Sequence, residues 1–246
     1  FFKYLIFIFL SLYLNRKIDI IFCFSNLIYR FNNNFFSDHK LIKTPLGYPE
    51  KIFYPNKDHY SNRNNYNIDN DTTLIGYFGR ISPEKGLYDL LFSLVNLHKY
   101  KWVLLCDSFD EQNDYNNLIK DTIKKNNLQD RVININSSHE NLVKYINMCN
   151  LIVMPSRWEE QYGRVAAEAM ACGKKVIVTN SASLVEITNI HGIIVSKNDL
   201  SSLTAQIKKY LINKDKFKIF DEKIAEYSLS NLSSIKQSNI IINSLK

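Results

Sequence analysis

The distribution of apolar residues along the chain changes character at Thr73. From there on, five short apolar runs alternate with longer amphipathic stretches. The apolar runs are TLIGYFG, WVLLC, VININ, LIVMP and VIVTN, and the amphipathic stretches cover residues 83–98, 113–126, 142–149 and 163–172. This alternation is typical of βαβ units and predicts an α/β fold, with a parallel sheet that carries helices on both faces. Because such sheets bind ligands at the carboxyl ends of their strands, the loops after the apolar runs are the candidate sites.

The segment before Thr73 shows a weaker pattern. It opens on Phe rather than Met, in the apolar run FFKYLIFIFLSLYL, whose length as a helix, about 21 Å, is less than a bilayer core of about 30 Å. We interpret this run as a packed helix cut off from the rest of its domain, with an interfacial membrane helix as the alternative. Residues 18–24 and 40–44 predict two short strands, the first buried and parallel. Residues 56–72, rich in Asn, Asp and Tyr, predict a linker.

Composition narrows the class of partner without selecting one. Hydrophobic residues make up 46% and charged residues 22% of the chain, as in ordinary folded proteins. The 31 Lys and Arg against 24 Asp and Glu give a net charge of +7, which suits phosphates, acidic membrane surfaces or nucleic acid. No nucleic-acid-binding module is recognisable, so we expect no nucleic acid partner. The four cysteines and five histidines are scattered, which predicts free thiols in a reducing compartment and no metal site.

The loop GRISPEKG, after the first apolar run, is the first candidate site. Ser82 is a good N-cap and Pro83 a good first helical residue, which predicts a helix from residue 83 with Lys85 in its first turn. A cation there opposes the helix macrodipole, which favours anions by about 0.3–1 kcal/mol. An anion bound between Lys85, Arg80 and the helix start removes the conflict. The alternative is that Lys85 extends into water and is compensated by Glu84.

The loop PSRWEEQYGRVAAEAMACG, after the fourth apolar run, is the second candidate site. Helical propensity begins near Gly163, so backbone N–H groups of residues 162–164 are available to an anionic or hydroxyl-rich ligand. Glu160 precedes this helix and Glu168 lies inside it. Glu168 can accept hydrogen bonds from vicinal hydroxyls, as an acidic residue does for ribose in dinucleotide-binding folds. The alternative is that both carboxylates are solvated helix-terminal glutamates.

Together these pieces resemble the C-terminal domain of glycosyltransferase family 4 (glycosyl transferases group 1), whose members have the two-domain GT-B fold. The segments that carry the resemblance are GRISPEKG, LIVMPS, EEQYGRVAAEAMACG, VIVT, Glu186-Ile187 and HGIIV. The match covers residues 18–228 and is strongest over 75–195. The combination of GR…EKG with PS…E-x7-E…EAMA-x-G is specific, whereas neither half is specific by itself.

The resemblance implies a domain organisation. Residues 73–228 form a Rossmann-like nucleotide-sugar-binding domain, and residues 1–55 are a remnant of a second Rossmann-like domain that binds the acceptor. Residues 56–72 link the two, and residues 229–246 form a helix that returns to the remnant. The nearly helical stripe of that last helix consists of Leu232, Ile235, Asn239, Ile242 and Leu245.

The resemblance also implies roles for individual residues. The implied donor site consists of Gly79, Arg80, Lys85, Glu160, Tyr162, Gly163, Arg164, Val165 and Glu168, with Glu160, Arg80 and Lys85 as the catalytic group. Arg80 and Lys85 bind the diphosphate, and Glu168 holds the ribose. Glu160, with the backbone of residues 162–165, contacts the donor sugar and the phosphate.

The activity implied by the resemblance is transfer of a sugar from a UDP-, GDP- or ADP-sugar with retention of anomeric configuration. It requires no cofactor and no metal ion. Arg80 and Lys85 stabilise the departing diphosphate, which is the role of a metal ion in other glycosyltransferases. The acceptor is a carbohydrate or a lipid-linked molecule, which places the enzyme in the cytoplasm and leaves peripheral contact with the inner face of the membrane open.

The sequence departs from the family pattern at three places. Gln161 replaces the usual Gly after the first glutamate, and Lys175 replaces a usual Pro. SASLVE lacks the common double glycine before Glu186. This last segment lies beside the donor sugar in the family, so the departures leave the identity of the sugar less defined than the binding of the nucleotide.

Three other functions remain open at this stage. A UDP-N-acetylglucosamine 2-epimerase shares the two-domain layout, and detection of epimerised sugar nucleotide instead of glycoside would distinguish it. A metal-dependent transferase could use Asp69-Asn70-Asp71, although this triplet lies in the predicted linker and not after a strand. A nucleotide-sugar-binding module, or a fragment without its acceptor residues, would bind donor without turnover.

Overall fold

A computed structural model describes residues 13–14, 16–58, 62–136, 138–217 and 219–246. Its strands are β1 (Ile21–Cys23), β2 (Leu41–Lys43), β3 (Thr73–Tyr77), β4 (Trp102–Asp107), β5 (Val132–Ile135), β6 (Leu151–Met154), β7 (Lys175–Thr179) and β8 (Ile193–Val195). Its α-helices are α1 (Asn26–Asn33), α2 (Leu87–Val95), α3 (Asp114–Lys125), α4 (His139–Met148), α5 (Arg164–Ala171), α6 (Ala182–Thr188), α7 (Leu200–Ile212), α8 (Glu222–Leu232) and α9 (Ser234–Ser244).

The centre of the fold is a six-stranded parallel sheet with the strand order β5-β4-β3-β6-β7-β8. The chain moves outward from β3 through β4 to β5, returns to the middle at β6, and then moves outward in the opposite direction. The order therefore reverses between β3 and β6, which are paired at Ile75–Leu151 and Gly76–Ile152. In open α/β sheets a ligand crevice forms outside the carboxyl ends of the strands at such a reversal.

Helices cover both faces of this sheet because successive strand side chains point in opposite directions. In β3 and the residue after it, Leu74 and Phe78 join one hydrophobic core, whereas Ile75 and Tyr77 join the other. The first core is completed by α4, α5, α6 and α8, and the second by α2, α3 and α7. The predicted α/β fold is thereby confirmed.

A smaller unit precedes the sheet. β1 and β2 pair in parallel and are connected through α1, with Ser25 as the N-cap of that helix through the Ile28 amide. Both strands fall within the apolar runs predicted at 18–24 and 40–44. Residues 1–12 of the opening apolar run lie outside the described residues, so the packed helix proposed for that run stays a prediction. Among the described residues, no helix combines the length and apolarity needed to span a bilayer.

Arg63, within the segment predicted as a linker, binds residues beside the main sheet. Arg63, in the 3-10 turn Asn62–Tyr66, is buried and donates to the carbonyls of Met148 at 2.9 Å and Thr72 at 3.2 Å. It also donates to the side-chain oxygen of Asn150. Burial of an arginine requires such partners for its N–H groups, so this segment is fixed by hydrogen bonds despite its linker-like composition. The domain boundary within 56–72 stays a prediction.

The C-terminal residues form two helices, α8 and α9, separated at Ser233. The Ser234 amide donates to the Tyr48 carbonyl at 2.9 Å, and the Gly47 amide donates to the side-chain oxygen of Gln237 at 3.3 Å. α9 therefore lies against the N-terminal part of the chain, the place expected for the last helix. Residues 229–246 do not form a single helix, because 229–232 belong to α8 and the helix starts again at Ser234.

The apolar stripe of the last helix is only partly buried. Leu232 is buried at the end of α8. Ile235, Ile242 and Leu245 are exposed, since the contacts of α9 with residues 47–50 are made by polar groups such as Ser234 and Gln237. The apolar stripe therefore does not account for the contact of α9 with residues 47–50.

Lys174 is a buried cation directly before β7. Its Nζ donates to the carbonyl of Asn147 at 2.8 Å and to that of Ile219 at 3.3 Å, and it lies 3.8 Å from the centre of the Phe220 ring. Burial lowers the pKa of Lys174 from its ordinary range to about 7. The buried thiols Cys149 and Cys172 favour its charged form but do not offset the desolvation.

Lys174 predicts a characteristic pH dependence of stability. Its folded pKa lies below its unfolded pKa, so the unfolded chain binds more protons between about pH 7 and 10.5 and stability rises with pH in that window. The test compares the free energy of unfolding of wild type with that of Lys174→Met at each pH. We expect the value for wild type, relative to the variant, to increase by about 1 kcal/mol per pH unit between about pH 7 and 8.5. Urea denaturation across this range measures it. A flat difference would contradict the prediction.

Candidate functional site

A cleft of about 310 Å³ opens at the carboxyl edge of the sheet, where the strand order reverses. The loop after β3 forms one wall, and the loop after β6 together with the start of α5 forms the other. The predicted residues that line it are Gly79, Arg80, Lys85, Glu160, Gly163, Arg164 and Val165. The two loops singled out by the sequence pattern therefore meet in one place.

The loop after β3 does not begin a helix at residue 83, as was expected. Residues Pro83–Lys85 form a 3-10 turn, Gly86 takes a left-handed conformation at φ +74°, and α2 starts at Leu87. The reason is a close approach between loops that local propensity does not encode. A Cβ on Gly86 would lie 2.1 Å from the Pro155 carbonyl oxygen, so the chain turns there through a glycine.

Lys85 forms an ion pair with the carboxylate of Glu160 across the cleft. The Nζ–Oε1 distance is 2.6 Å, and the two side chains are 24% and 10% exposed. The hydroxyl of Ser156 donates to the same carboxylate oxygen. Lys85 therefore does not extend into water beside Glu84, and it does not lie in the first turn of an α-helix, so these two expectations were wrong. That Lys85 and Arg80 bind an anion stays a prediction.

Arg80 is one of two exposed arginines that line the cleft, the other being Arg164. Its guanidinium lies 3.4 Å from the carboxylate of Glu84, and its side chain is 69% exposed. An ion pair this exposed contributes little to stability, because water screens it and two long side chains lose freedom. Arg80 is thus available to an incoming anion at small cost.

Tyr77 and Ser156 also line the cleft, although the sequence analysis did not predict them as site residues. The Tyr77 hydroxyl lies 3.4 Å from the carbonyls of Arg80 and Lys85, to which it donates. Burial raises the pKa of Tyr77 well above its ordinary value, so the hydroxyl stays protonated. In the sequence, a tyrosine at the end of a strand has the pattern of a core residue. Its hydrogen bonds show that it also holds the loop that carries Arg80 and Lys85.

The start of α5 forms the floor of the cleft at Gly163, Arg164 and Val165. Gly163 adopts φ +97°, and a Cβ at this position would lie 2.4 Å from a methyl group of Leu184. Glycine therefore allows α5 to begin directly behind the loop. The first N–H groups of a helix have no partners within the helix and carry a partial positive charge, so this end of α5 favours an anion in the cleft.

Two of the predicted residues lie away from the cleft surface. Glu168 is on α5, one turn beyond the floor, and is only 1% exposed. Tyr162 is buried and lines a second cavity of about 220 Å³ between the main sheet and the β1–α1–β2 unit, where its ring contacts Phe24 edge to face. Glu160 and Glu168 are both buried, so the alternative that they are solvated glutamates was wrong, although only Glu160 lines the cleft.

The Asp69-Asn70-Asp71 triplet is engaged by a lysine. Lys101 Nζ lies 2.7 Å from a carboxylate oxygen of Asp71 and 3.6 Å from one of Asp69, and the hydrogen bond from Lys101 lowers the pKa of Asp71. Both carboxylates lie at the amino end of β3, on the opposite edge from the cleft. Within the described ranges, no group of three His, Cys, Asp or Glu side chains could hold a metal ion.

Comparison with known proteins identifies the class. Residues 58–228 match the Glycosyl transferases group 1 family, and the chain belongs to this family. It is 27% identical over 184 residues to the lipopolysaccharide 1,2-N-acetylglucosaminetransferase of Salmonella typhimurium, covering 68% of this chain and 48% of the relative. It is 32% identical over 155 residues to the capsular polysaccharide biosynthesis glycosyltransferase CapM of Staphylococcus aureus, covering 58% and 38%. The chain thus spans about half the length or less of these relatives.

Solved structures show the same fold. Anabaena Alr3699/HepE in complex with UDP and glucose superposes with a TM-score of 0.81 at 18% identity, over 92% of this chain and 62% of that one. A glycosyltransferase from Rickettsia africae gives a TM-score of 0.83 at 21% identity, over 94% and 64%. The α/β architecture is therefore that of the GT-B glycosyltransferases, as the sequence resemblance implied.

The two glycines of the loop after β3 provide a matched test of this geometry. We expect Gly86→Ala to lower the free energy of unfolding by about 4 kcal/mol or more, because its Cβ would collide with the Pro155 carbonyl. Gly79→Ala, also at a positive φ but with nothing within 4 Å of the added Cβ, should cost only about 1–3 kcal/mol of backbone strain. Urea denaturation of both variants measures the difference. Equal losses would show that the loops do not meet at Gly86.

Proposed function

We propose that this chain is the donor-binding part of a retaining, metal-independent family 4 glycosyltransferase that uses a UDP-sugar. The observation that carries the proposal is the position of Arg80, Lys85, Glu160 and the start of α5 around one cleft at the strand-order reversal. The choice of UDP is supported by Alr3699/HepE, which shares the fold and was solved with UDP and glucose. The Salmonella lipopolysaccharide transferase and the Staphylococcus capsular polysaccharide transferase support a sugar acceptor on a lipopolysaccharide or capsular polysaccharide.

The diphosphate is the part of the donor that the cleft is best suited to bind. Lys85 and Arg80 approach from the loop after β3, and the positive end of the α5 dipole approaches from the floor. These charges also stabilise the negative charge that develops on the departing diphosphate. In this proposal they take the place of a metal ion, and no cofactor takes part.

The Lys85–Glu160 ion pair gives the cleft a way to respond to the donor. In the structure without ligand, Lys85 neutralises the Glu160 carboxylate at 2.6 Å. A diphosphate offers Lys85 a stronger anionic partner, since it carries more charge and more acceptor oxygens. Glu160 then becomes free to accept a hydrogen bond from a hydroxyl of the donor sugar. Diphosphate binding and sugar recognition are coupled in this way.

The remaining assignments follow the family resemblance. Glu168 binds the ribose, and the backbone of residues 162–165, which includes Tyr162, contacts the donor. Residues 73–228 form the donor domain, residues 1–55 belong to the acceptor domain, residues 56–72 link the two, and residues 229–246 return to the acceptor domain. The acceptor is a carbohydrate or lipid-linked molecule. The site of action is the cytoplasm, at the inner face of the membrane where the acceptor is lipid-linked, and nucleic acid is not a partner.

The proposal predicts how charge at the cleft controls nucleotide binding. Lys85→Ala and Arg80→Ala should each weaken binding of UDP by about 1.5–3 kcal/mol, the range for hydrogen bonds to charged groups, while uridine binding hardly changes. Lys208→Ala, which removes an exposed lysine of α7, is the matched control and should leave both affinities unchanged. Calorimetry with UDP, GDP, ADP and uridine measures these affinities. Normal binding of every diphosphate by Lys85→Ala would end the assignment.

Two further measurements distinguish the role of Glu168 from that of Lys85. Glu168→Gln should weaken uridine and UDP together, because ribose is common to both. Lys85→Ala should also lower the melting temperature, since Glu160 loses the ammonium that compensates its largely buried carboxylate. If Lys85 instead only opposed a helix dipole, its removal would leave the melting temperature unchanged or slightly raised. A thermal melt distinguishes the two.

A further inference from the structure

Three hydroxyl side chains stand at alternate positions where β7 ends: Thr179, Ser181 and Ser183. Their residues are almost completely buried. Thr179 ends β7 and Ser181 is extended, whereas Ser183 lies in the first turn of α6, yet all three hydroxyls face one neighbouring segment. That segment is the loop after β6, residues 155–163, which carries Glu160 into the cleft.

Each of the three hydroxyls bonds to the main chain of that loop. Thr179 Oγ1 donates to the Ser156 carbonyl at 2.7 Å. The Glu160 amide donates to Ser181 Oγ at 2.7 Å. Ser183 Oγ donates to the Gln161 carbonyl at 2.9 Å. We call Thr179, Ser181 and Ser183 the hydroxyl ladder.

Ser181 is held in a single orientation by a second bond. Its hydroxyl donates to Glu159 Oε2 at 3.1 Å, and the same oxygen accepts the Ala182 amide at 3.1 Å. Glu159 is also ion-paired with Lys197. Because the Ser181 hydrogen points to Glu159, its oxygen lone pairs remain directed to the Glu160 amide. The backbone of Glu160 is therefore fixed by the ladder, while its carboxylate is held separately by Lys85 and Ser156.

We propose that the hydroxyl ladder is the device that positions Glu160 for the donor sugar, with Ser181 as its key positioning residue. This inference rests on the proposed function, in which Glu160 contacts that sugar. The ladder acts on a loop different from the one that carries Arg80 and Lys85. Its loss should therefore reduce recognition of the sugar and leave recognition of the nucleotide nearly unchanged. A general loss of folding would weaken both together.

The test compares UDP with UDP-glucose and UDP-N-acetylglucosamine by calorimetry. For the UDP-sugar that wild type binds better, we expect Ser181→Ala to weaken binding by about tenfold while the affinity for UDP changes by less than about threefold. Glu160→Gln should likewise lower the affinity for the sugar nucleotide relative to that for UDP, whereas UDP itself should bind more tightly because Lys85 loses its partner. Ser181→Cys, which keeps a weaker hydrogen-bonding group of similar size, should restore part of the affinity for the sugar nucleotide.

Ser93→Ala is the matched control. Ser93 is equally buried, and its hydroxyl accepts a hydrogen bond from Thr204 Oγ1 at 3.0 Å, but it lies in α2 and bonds to α7 rather than to the loop after β6. It should alter neither affinity. If Ser181→Ala fails to fold, Thr179→Ala, which removes the bond to the Ser156 carbonyl, replaces it with the same expected pattern.

The outcomes separate the two proposals. If wild type binds none of the uridine nucleotides, the proposed function fails before the ladder is tested, and the same panel with GDP and ADP shows whether the nucleotide was misassigned. If wild type binds them and the ladder variants keep wild-type affinity for the UDP-sugar, the positioning role is overturned while the proposed function stands. Equal weakening of UDP and UDP-sugar also overturns it, since that pattern indicates a structural role alone.

Discussion

The pairing of β3 with β6 is the contact on which the rest of this structure depends. These strands are separated by more than seventy residues of sequence yet are adjacent in the sheet, and the order of the sheet reverses between them. The loop after β3 and the loop after β6 leave the sheet in different directions. A crevice therefore remains between these two loops. The Arg157 amide, bonded to the Glu84 carbonyl at 2.8 Å, ties the loops together where they first meet. The cleft is thus a consequence of topology, and its chemistry is added by the two loops.

Much of the fold could be predicted because its signal is local. Strands such as β3 and β6 are buried on both faces, so they appear in the sequence as short continuous apolar runs. Helix starts are harder. Ser82-Pro83 has every local mark of a helix N-terminus, yet the Pro155 carbonyl, distant in sequence, delays α2 to Leu87. Arg63 shows the same limit, since a single buried guanidinium fixes a segment whose composition is that of a linker.

The candidate site could be predicted as a set of residues but not as an arrangement. Family resemblance brought Lys85 and Glu160 to attention, whereas their ion pair depends on the distance between two loops. The departures from the family pattern show why. Gln161 and the SASLVE segment appear in the sequence as two unrelated changes, but the Ser183 hydroxyl donates to the Gln161 carbonyl at 2.9 Å. The two segments are therefore in contact through the main chain of residue 161, and no local pattern relates residues twenty-two positions apart.

Apart from the exposed Arg80–Glu84 pair, the ion pairs around the cleft join residues of different segments. Asp89 receives a two-pronged hydrogen bond from Arg157, Glu159 pairs with Lys197, and Glu160 pairs with Lys85. A carboxylate that is partly removed from water loses hydration free energy. A nearby cation offsets this loss, whereas a carboxylate without a partner would destabilise the fold. Each pair therefore also ties together the elements that carry it. Of these three pairs, only Lys85–Glu160 has both members on the cleft surface. An anion in the cleft can exchange the partner of that lysine while the other two pairs keep the surrounding loops in place.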